Sequence, residues 1–272
     1  MTIIANHAHL MPAPAADSGW PAGDSDMLLA HLDACGIDRA LVFAPFANQC
    51  GGSLSAANRW ALREVRAHAD RFIPAGTLNP LAADVLDVMQ MCYDAGARWV
   101  KIHPSIDLHD IADPRLEDFY SRAEGLGMTL DYHTGAHGTR LSLAKPEKFD
   151  DLAWNHPKLR LVFEHLGGRA YLREFEAIIA NHRGRVLGGL TSVYDPGVGY
   201  MWHIPPADLE AMIASLGASR FIFGLDFPWN DIEATKRDLR VIESLPLPAS
   251  DKALILGGNL LRLLAETEGA PR

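Results

Sequence analysis

Trp99-Val100-Lys101-Ile102-His103 is a short apolar run that ends in a histidine, and Met128-Thr129-Leu130-Asp131-Tyr132-His133 is a second. Between them a helical stretch runs from Pro114 to Gly125, with Asp113 as N-cap and Pro114 at the first helical position. Strand, helix and strand in this order form a βα unit, and its repetition predicts a parallel sheet covered by helices. The alternation extends in both directions. Upstream, strands are predicted at Thr2–His7, Arg39–Ala44 and Arg71–Thr77, with helices at Ser25–Gly36, Ser53–His68 and Ala82–Ala95. Downstream, strands are predicted at Leu159–His165, Arg185–Leu190 and Arg220–Asp226. Their helices are Pro146–Asn155, Ala170–His182, Pro206–Leu216 and Asp231–Leu245, and a terminal helix spans Ser250–Glu266. Eight such units in 272 residues predict an α/β fold, a closed (β/α)8 TIM barrel, as a single domain over residues 1–272. An open doubly wound sheet is the alternative, but no G-x-G-x-x-G follows the first strand.

Composition narrows the function classes. A formal charge of −9 with acids and bases interspersed offers no basic block, so nucleic acid is not an expected partner. Cys35, Cys50 and Cys92 are too few and too scattered for a disulfide framework or a thiolate zinc site. A first strand beginning at Thr2 leaves no room for a signal peptide, and no apolar stretch approaches the ~20 residues that span a bilayer. The expectation is a cytoplasmic protein without a membrane partner, acting on a small molecule.

The strand ends carry the chemistry. The first strand closes on His7-Ala8-His9, and residues i and i+2 of a strand face the same side. Other runs end in His103, His133, His165 and Asp226. Strand ends of this architecture meet at its C-terminal mouth, and closure sets the last strand, with Asp226, beside the first. Imidazoles and a carboxylate are suitable ligands for a divalent transition metal, which lowers the pKa of water towards ~7. Singly, a strand-end histidine can simply bond a loop carbonyl, and Asp226 can cap a turn. The other histidines, on helices and in loops, are expected mostly at the solvated surface. One layer below, Lys101 and Asp131 are expected to form a buried ion pair. A carbamylated Lys101 bridging two metals is the alternative. With His165 facing inward, alternation sends Glu164 away from the barrel interior.

In order along the chain, these residues resemble the second family of the amidohydrolase superfamily, which includes aminocarboxymuconate-semialdehyde decarboxylase and related metal-dependent hydrolases. The matching pieces are His7-Ala8-His9, Gly96 to Pro104, His133-Thr134-Gly135, Phe163 to Gly168, Phe223 to Pro228 and Leu256 to Leu264. The resemblance implies one zinc, or sometimes manganese, held by His7, His9, His133 and Asp226, with His165 acting beside the metal. It also implies a possible homodimer. One departure is Ala5, where many members carry an acid.

Arg169, after Gly167-Gly168, together with His103 and His137, are the candidates for binding substrate, expected to carry a carboxylate. Cys50 lacks a paired base and reads as a small loop residue. The first functional expectation is a hydrolase in which a metal-activated water, served by Asp226 and His165, attacks an ester, lactone or amide carbonyl. The alternative is a decarboxylase of an unsaturated or aromatic acid on the same site. A third is an inactive barrel that only binds a ligand.

Overall fold

A computed structural model describes residues 2–12 and 19–268. The strands are β1 (Ile4–His9), β2 (Arg39–Phe43), β3 (Phe72–Pro74), β4 (Gly76–Thr77), β5 (Trp99–Ile102), β6 (Thr129–His133), β7 (Arg160–Glu164), β8 (Val186–Leu190) and β9 (Phe221–Phe227). All pair in parallel, in the order β3-β2-β1-β9-β8-β7-β6-β5-β4. The two ends of that order are one interrupted strand. The predicted strand Arg71–Thr77 breaks at Ala75, so that β3 pairs with β2 and β4 with β5. The sheet therefore closes on itself as a (β/α)8 barrel. Asn58, on the helix Leu54–Ala67, bridges the break: its side chain accepts from Thr77 N at 2.9 Å and donates to Thr77 O at 2.8 Å. A buried amide here supplies hydrogen bonds that a neighbouring strand would have supplied.

Local chemistry sets the helix ends. Asp24 accepts from Met27 N, Ser53 from Ala56 N and Asp231 from Ala234 N, each leaving fewer orphan donors in the first turn. Gly36 closes the helix Ser25–Cys35 in the left-handed conformation. The helices Pro146–Asn155 and Pro206–Leu216 have the predicted bounds. The predicted terminal helix does not run through. It divides into Ala249–Ala253 and Asn259–Glu268 around Gly257, where a Cβ would lie 2.8 Å from Ile4 N. Among the described residues, no helix is long and apolar enough to cross a membrane.

The barrel interior is layered. At the bottom lie Ile4, Leu41, Ile73, Trp99, Val162, Leu187 and Ile222, closed off by Leu260 and Leu263. Alternation places Asn6, Lys101, Asp131 and Glu164 two residues further along their strands, all buried. This corrects the expectation for Glu164, which shares the inward face with Val162. His31, His109, His156 and His182 are buried as well, contrary to the surface expected for them.

Candidate metal centre

Four residues at the mouth hold positive φ without being glycine: His7 (62°), His165 (68°), Ser192 (56°) and Asp226 (56°). Such conformations cost of order 1–3 kcal/mol each and cluster at functional sites. They explain how the histidines turn inward. Asn6 already faces the interior, where its amide donates to Asp131 Oδ2 at 2.8 Å and to Glu164. Regular alternation from Ile4 and Asn6 would send His7 outward. A bulge between Ala5 and Ala8 re-aims it, and a second shift along β9 brings Asp226 opposite. His165 similarly follows an inward Glu164 and reaches the mouth only through its left-handed turn.

The result is one ring of imidazoles. His7 Nε2 lies 3.4 Å from Asp226 Oδ1. Ring centroids are 5.1 Å apart for His7 and His9, 5.6 Å for His7 and His165, and 4.6 Å for His133 and His165. His103 stacks on His133 at 3.8 Å, with His137 at 4.8 Å from His103. All seven of these residues line a cavity of about 310 Å³, together with Phe46, Ile106, Trp229 and Lys101. The four predicted ligands do not form one tight group. Among the described residues, the groups with donor atoms within 4.8 Å of one another are His103–His133–His137 and His7–Asp131–Glu164.

The donors nonetheless suit a divalent cation. Two ligands of a tetrahedral ion, each at about 2.1 Å, stand about 3.4 Å apart, the spacing of His7 Nε2 and Asp226 Oδ1. His133 Nε2 is buried without a hydrogen-bond partner. His9 Nδ1 faces the Ala44 carbonyl at 3.3 Å, and His165 Nδ1 faces the Thr191 carbonyl at 2.8 Å. A ring nitrogen facing a carbonyl carries the proton, so Nε2 of both rings keeps its lone pair.

Charge points the same way. Burial and Lys101 press the His7 pKa down, yet Glu164, Asp131 and Asp226 hold it up at about 10. The buried carboxyl groups of Asp131 and Glu164, the part-buried Asp226 and a single lysine leave this spot short of positive charge, which an imidazolium or a metal cation relieves. Burial disfavours the charged Asp226, but His7, His165 and the Ser192 hydroxyl hold it well below the usual carboxylate range. Burial pushes Glu164 up, with Asp131 adding repulsion. Burial also lowers His9 and His133, and brings His165 to about 4.

The predicted pair beneath the mouth is present: Lys101 Nζ donates to Asp131 Oδ1 at 3.1 Å and lies 3.4 Å from His7 Nδ1. Trp99 Nε1 donates to the other Asp131 oxygen at 3.0 Å. Sequence reasoning missed the supports of Glu164 and Asp226. Thr191 donates to Glu164, and Ser192 donates to Asp226 Oδ2 at 2.7 Å while accepting from Asn230. Alternation from Val162 and Ile4 would have revealed Glu164 and Asn6; Ser192 and Asn230 leave no pattern. Arg169 stands apart from the cavity. It is exposed, with its guanidinium 4.6 Å from the Tyr200 ring. The amides of the two glycines before it are also engaged: Gly167 N–H donates to Thr134 Oγ1, and Gly168 N–H to the His165 carbonyl.

Similarity to known proteins agrees with this architecture. The chain superposes on an uncharacterised TIM-barrel protein from Bordetella bronchiseptica with a TM-score of 0.79 and 21% identity, covering 98% of this chain and 100% of that one. It superposes on 5-carboxyvanillate decarboxylase from Sphingomonas paucimobilis with a TM-score of 0.71 and 17% identity, covering 97% and 99%. A dihydroxybenzoic acid decarboxylase from Polaromonas, solved with bound manganese and 2-nitroresorcinol, gives 0.70 and 14%, covering 97% of each chain. No curated protein matches in sequence. The family model described as amidohydrolase matches residues 4–265. The chain belongs to that family, and is a metal-dependent enzyme of the amidohydrolase superfamily.

Proposed function

We propose that the chain is a hydrolase of a small ester, lactone or amide, working as one barrel domain. His7, His9, His133 and Asp226 are the ligands of a single divalent ion, zinc or manganese. The observation that carries the reading is geometric: the Thr191 carbonyl holds His165 Nδ1–H and leaves its Nε2 lone pair at the cavity that Asp226 also lines. Both side chains are proton acceptors, as activation of water requires. A bound ion supplies Lewis acidity and brings the pKa of water near neutrality. Ser192 and Asn230 fix the Asp226 carboxylate, which orients the attacking water by accepting its hydrogen bond. His165 Nε2 takes the proton and returns it to the departing oxygen or nitrogen. The Thr191 carbonyl, holding Nδ1–H, stabilises the imidazolium formed in between. His103 and His137 face the substrate at the mouth.

A second reading, decarboxylation of a planar acid, is favoured by the flat rings of Phe46, Trp229 and His103 along the cavity. Two of the similar structures are decarboxylases of substituted benzoates. The test is to load the protein with Zn2+ or Mn2+ and supply aryl esters, lactones and dihydroxybenzoates in 18O-labelled water. Label in a product carboxylate supports hydrolysis. Release of CO2 from a benzoate replaces it with the second reading. A protein that takes up no metal and turns over nothing is a binding barrel.

A further inference from the structure

The cavity histidines are of two kinds. His9 and His165 each point Nδ1 at a backbone carbonyl, so the proton is on Nδ1 and Nε2 is a lone pair. His103 is the reverse. It caps the short helix Pro104–Asp107, and the backbone N–H of Ile106 donates both to its Nδ1 at 3.3 Å and to its carbonyl at 3.1 Å. A nitrogen that accepts a hydrogen bond carries no proton, so the neutral ring holds its proton on Nε2. The ring is buried and braced on two sides, face to face with His133 at 3.8 Å and 13°, and edge-on with Phe46 at 5.3 Å.

We propose that His103 is the specificity-determining donor of this site, presenting a fixed, uncharged Nε2–H to an acceptor oxygen of the substrate. This rests on the reading of the cavity as the substrate site. The assignment separates His103 from its neighbours. His103, His133 and His137 bring one nitrogen each within 4.8 Å of one another, close enough for a shared ion. Ile106 keeps His103 out of such a set, because a neutral ring whose Nδ1 is taken as an acceptor has only a protonated nitrogen left to offer. Lys101, the lysine lining the cavity, is committed to Asp131. The donor selects a carboxylate, phenolate or carbonyl oxygen at that point and rejects an ammonium group, which would leave two donors face to face. The structure thus favours oxygen-rich acids or their carbonyl derivatives with an unprotonated oxygen directed at β5.

The tautomer can be read directly on 15N-labelled, zinc-loaded protein from long-range 1H–15N correlations of the imidazole rings, with His103 assigned by its loss in His103→Gln. The expected pattern is Nε2–H at His103 and Nδ1–H at His9 and His165. Binding is followed with benzoate as the probe, by calorimetry. His103→Gln, whose amide N–H reaches the Nε2 position, should bind within about threefold of the parent. His103→Leu should lose about tenfold or more, the worth of one hydrogen bond. Both variants should keep the parent zinc content. A proton on Nδ1 of His103, loss of zinc in both variants, or undiminished benzoate binding by His103→Leu would each overturn the proposal. A parent that holds zinc but does not bind benzoate overturns the donor role and leaves the metal reading standing. A parent that holds no zinc defeats the metal reading, while the tautomer is still read on the metal-free protein.

Discussion

His165 donates its Nδ1–H to the Thr191 carbonyl at 2.8 Å, and this bond leaves Nε2 as a lone pair at the cavity. The ring cannot swap nitrogens without losing that partner. Its fixed tautomer, with a pKa brought to about 4 by burial, suits the proton-accepting role proposed for it. His165→Asn is expected to keep fold and metal while turnover falls about 10²–10⁴-fold, the usual contribution of a positioned acid–base group. Metal content and turnover measured on one preparation check this. A variant that loses its metal would make His165 a ligand instead.

His7 is held at both ring nitrogens, by Asp226 on one side and the buried carboxyl cluster on the other. His7→Asn is expected to lose metal and activity together. Metal analysis after dialysis against a weak chelator, beside the parent, reads the difference. Full retention of metal would remove His7 from the ligand set.

Lys101 and Asp131 are both buried, 3.1 Å apart. Lys101→Met removes the ammonium partner of Asp131 and leaves the His7 ring as the cation facing Asp131 and Glu164. The expected cost is roughly 3–5 kcal/mol, seen as a fall in Tm of about 5–10 °C. Metal-free protein is the right sample, because bound metal would partly replace the lost charge. An unchanged Tm would show that the pair contributes nothing.

Gly189 leaves the space that Glu164 fills: a Cβ there would lie 2.2 Å from Glu164 Oε2. Gly189→Ala is expected to lower stability by roughly 1–3 kcal/mol through overpacking. Displacing Glu164 also removes a support of the His7 ring, so metal affinity should fall about 10–100-fold. Chemical denaturation and metal titration measure the two effects separately. An alanine variant that matches the parent in both would mean that Glu164 moves aside freely.

Asp238 lies buried on the helix Ile232–Ser244, with Oδ1 lacking a hydrogen-bond partner. Burial pushes its carboxyl up to about 7, against the pull of Arg237. A folded pKa raised above the unfolded value of ~3.9 means stability that is fully present below pH ~4 and is lost as pH rises through about 7. Asp238→Asn should therefore flatten the decline between pH 5 and 8 and be more stable than the parent at pH 8, by roughly 1–3 kcal/mol. Parallel denaturation curves at the two pH values test it, and identical pH dependence in both proteins would contradict it.

The order of strands and helices was legible in the residues, because alternation with period 2 and helical faces with period 3.6 are local properties. So was the gathering of His7, His9, His133, His165 and Asp226 at one cavity, since they stand at or beside strand ends and closure brings strand ends to one mouth. The Lys101–Asp131 pair followed from the same alternation on adjacent strands. Local periodicity failed where the backbone leaves its regular path. His7, His165 and Asp226 turn inward through left-handed residues, and β1 and β9 shift register beside them. Such turns are stabilised by partners far away in the chain, such as Thr191 for His165 and Ser192 for Asp226. The inward Glu164, the break at Ala75 spanned by Asn58, and the outward Arg169 are decisions of the same kind. The sequence by itself determined which residues reach the end of each strand. Only the tertiary structure decided which way each side chain turns there and which ring nitrogen carries the proton, because both depend on hydrogen bonds between residues that only the closed barrel brings together.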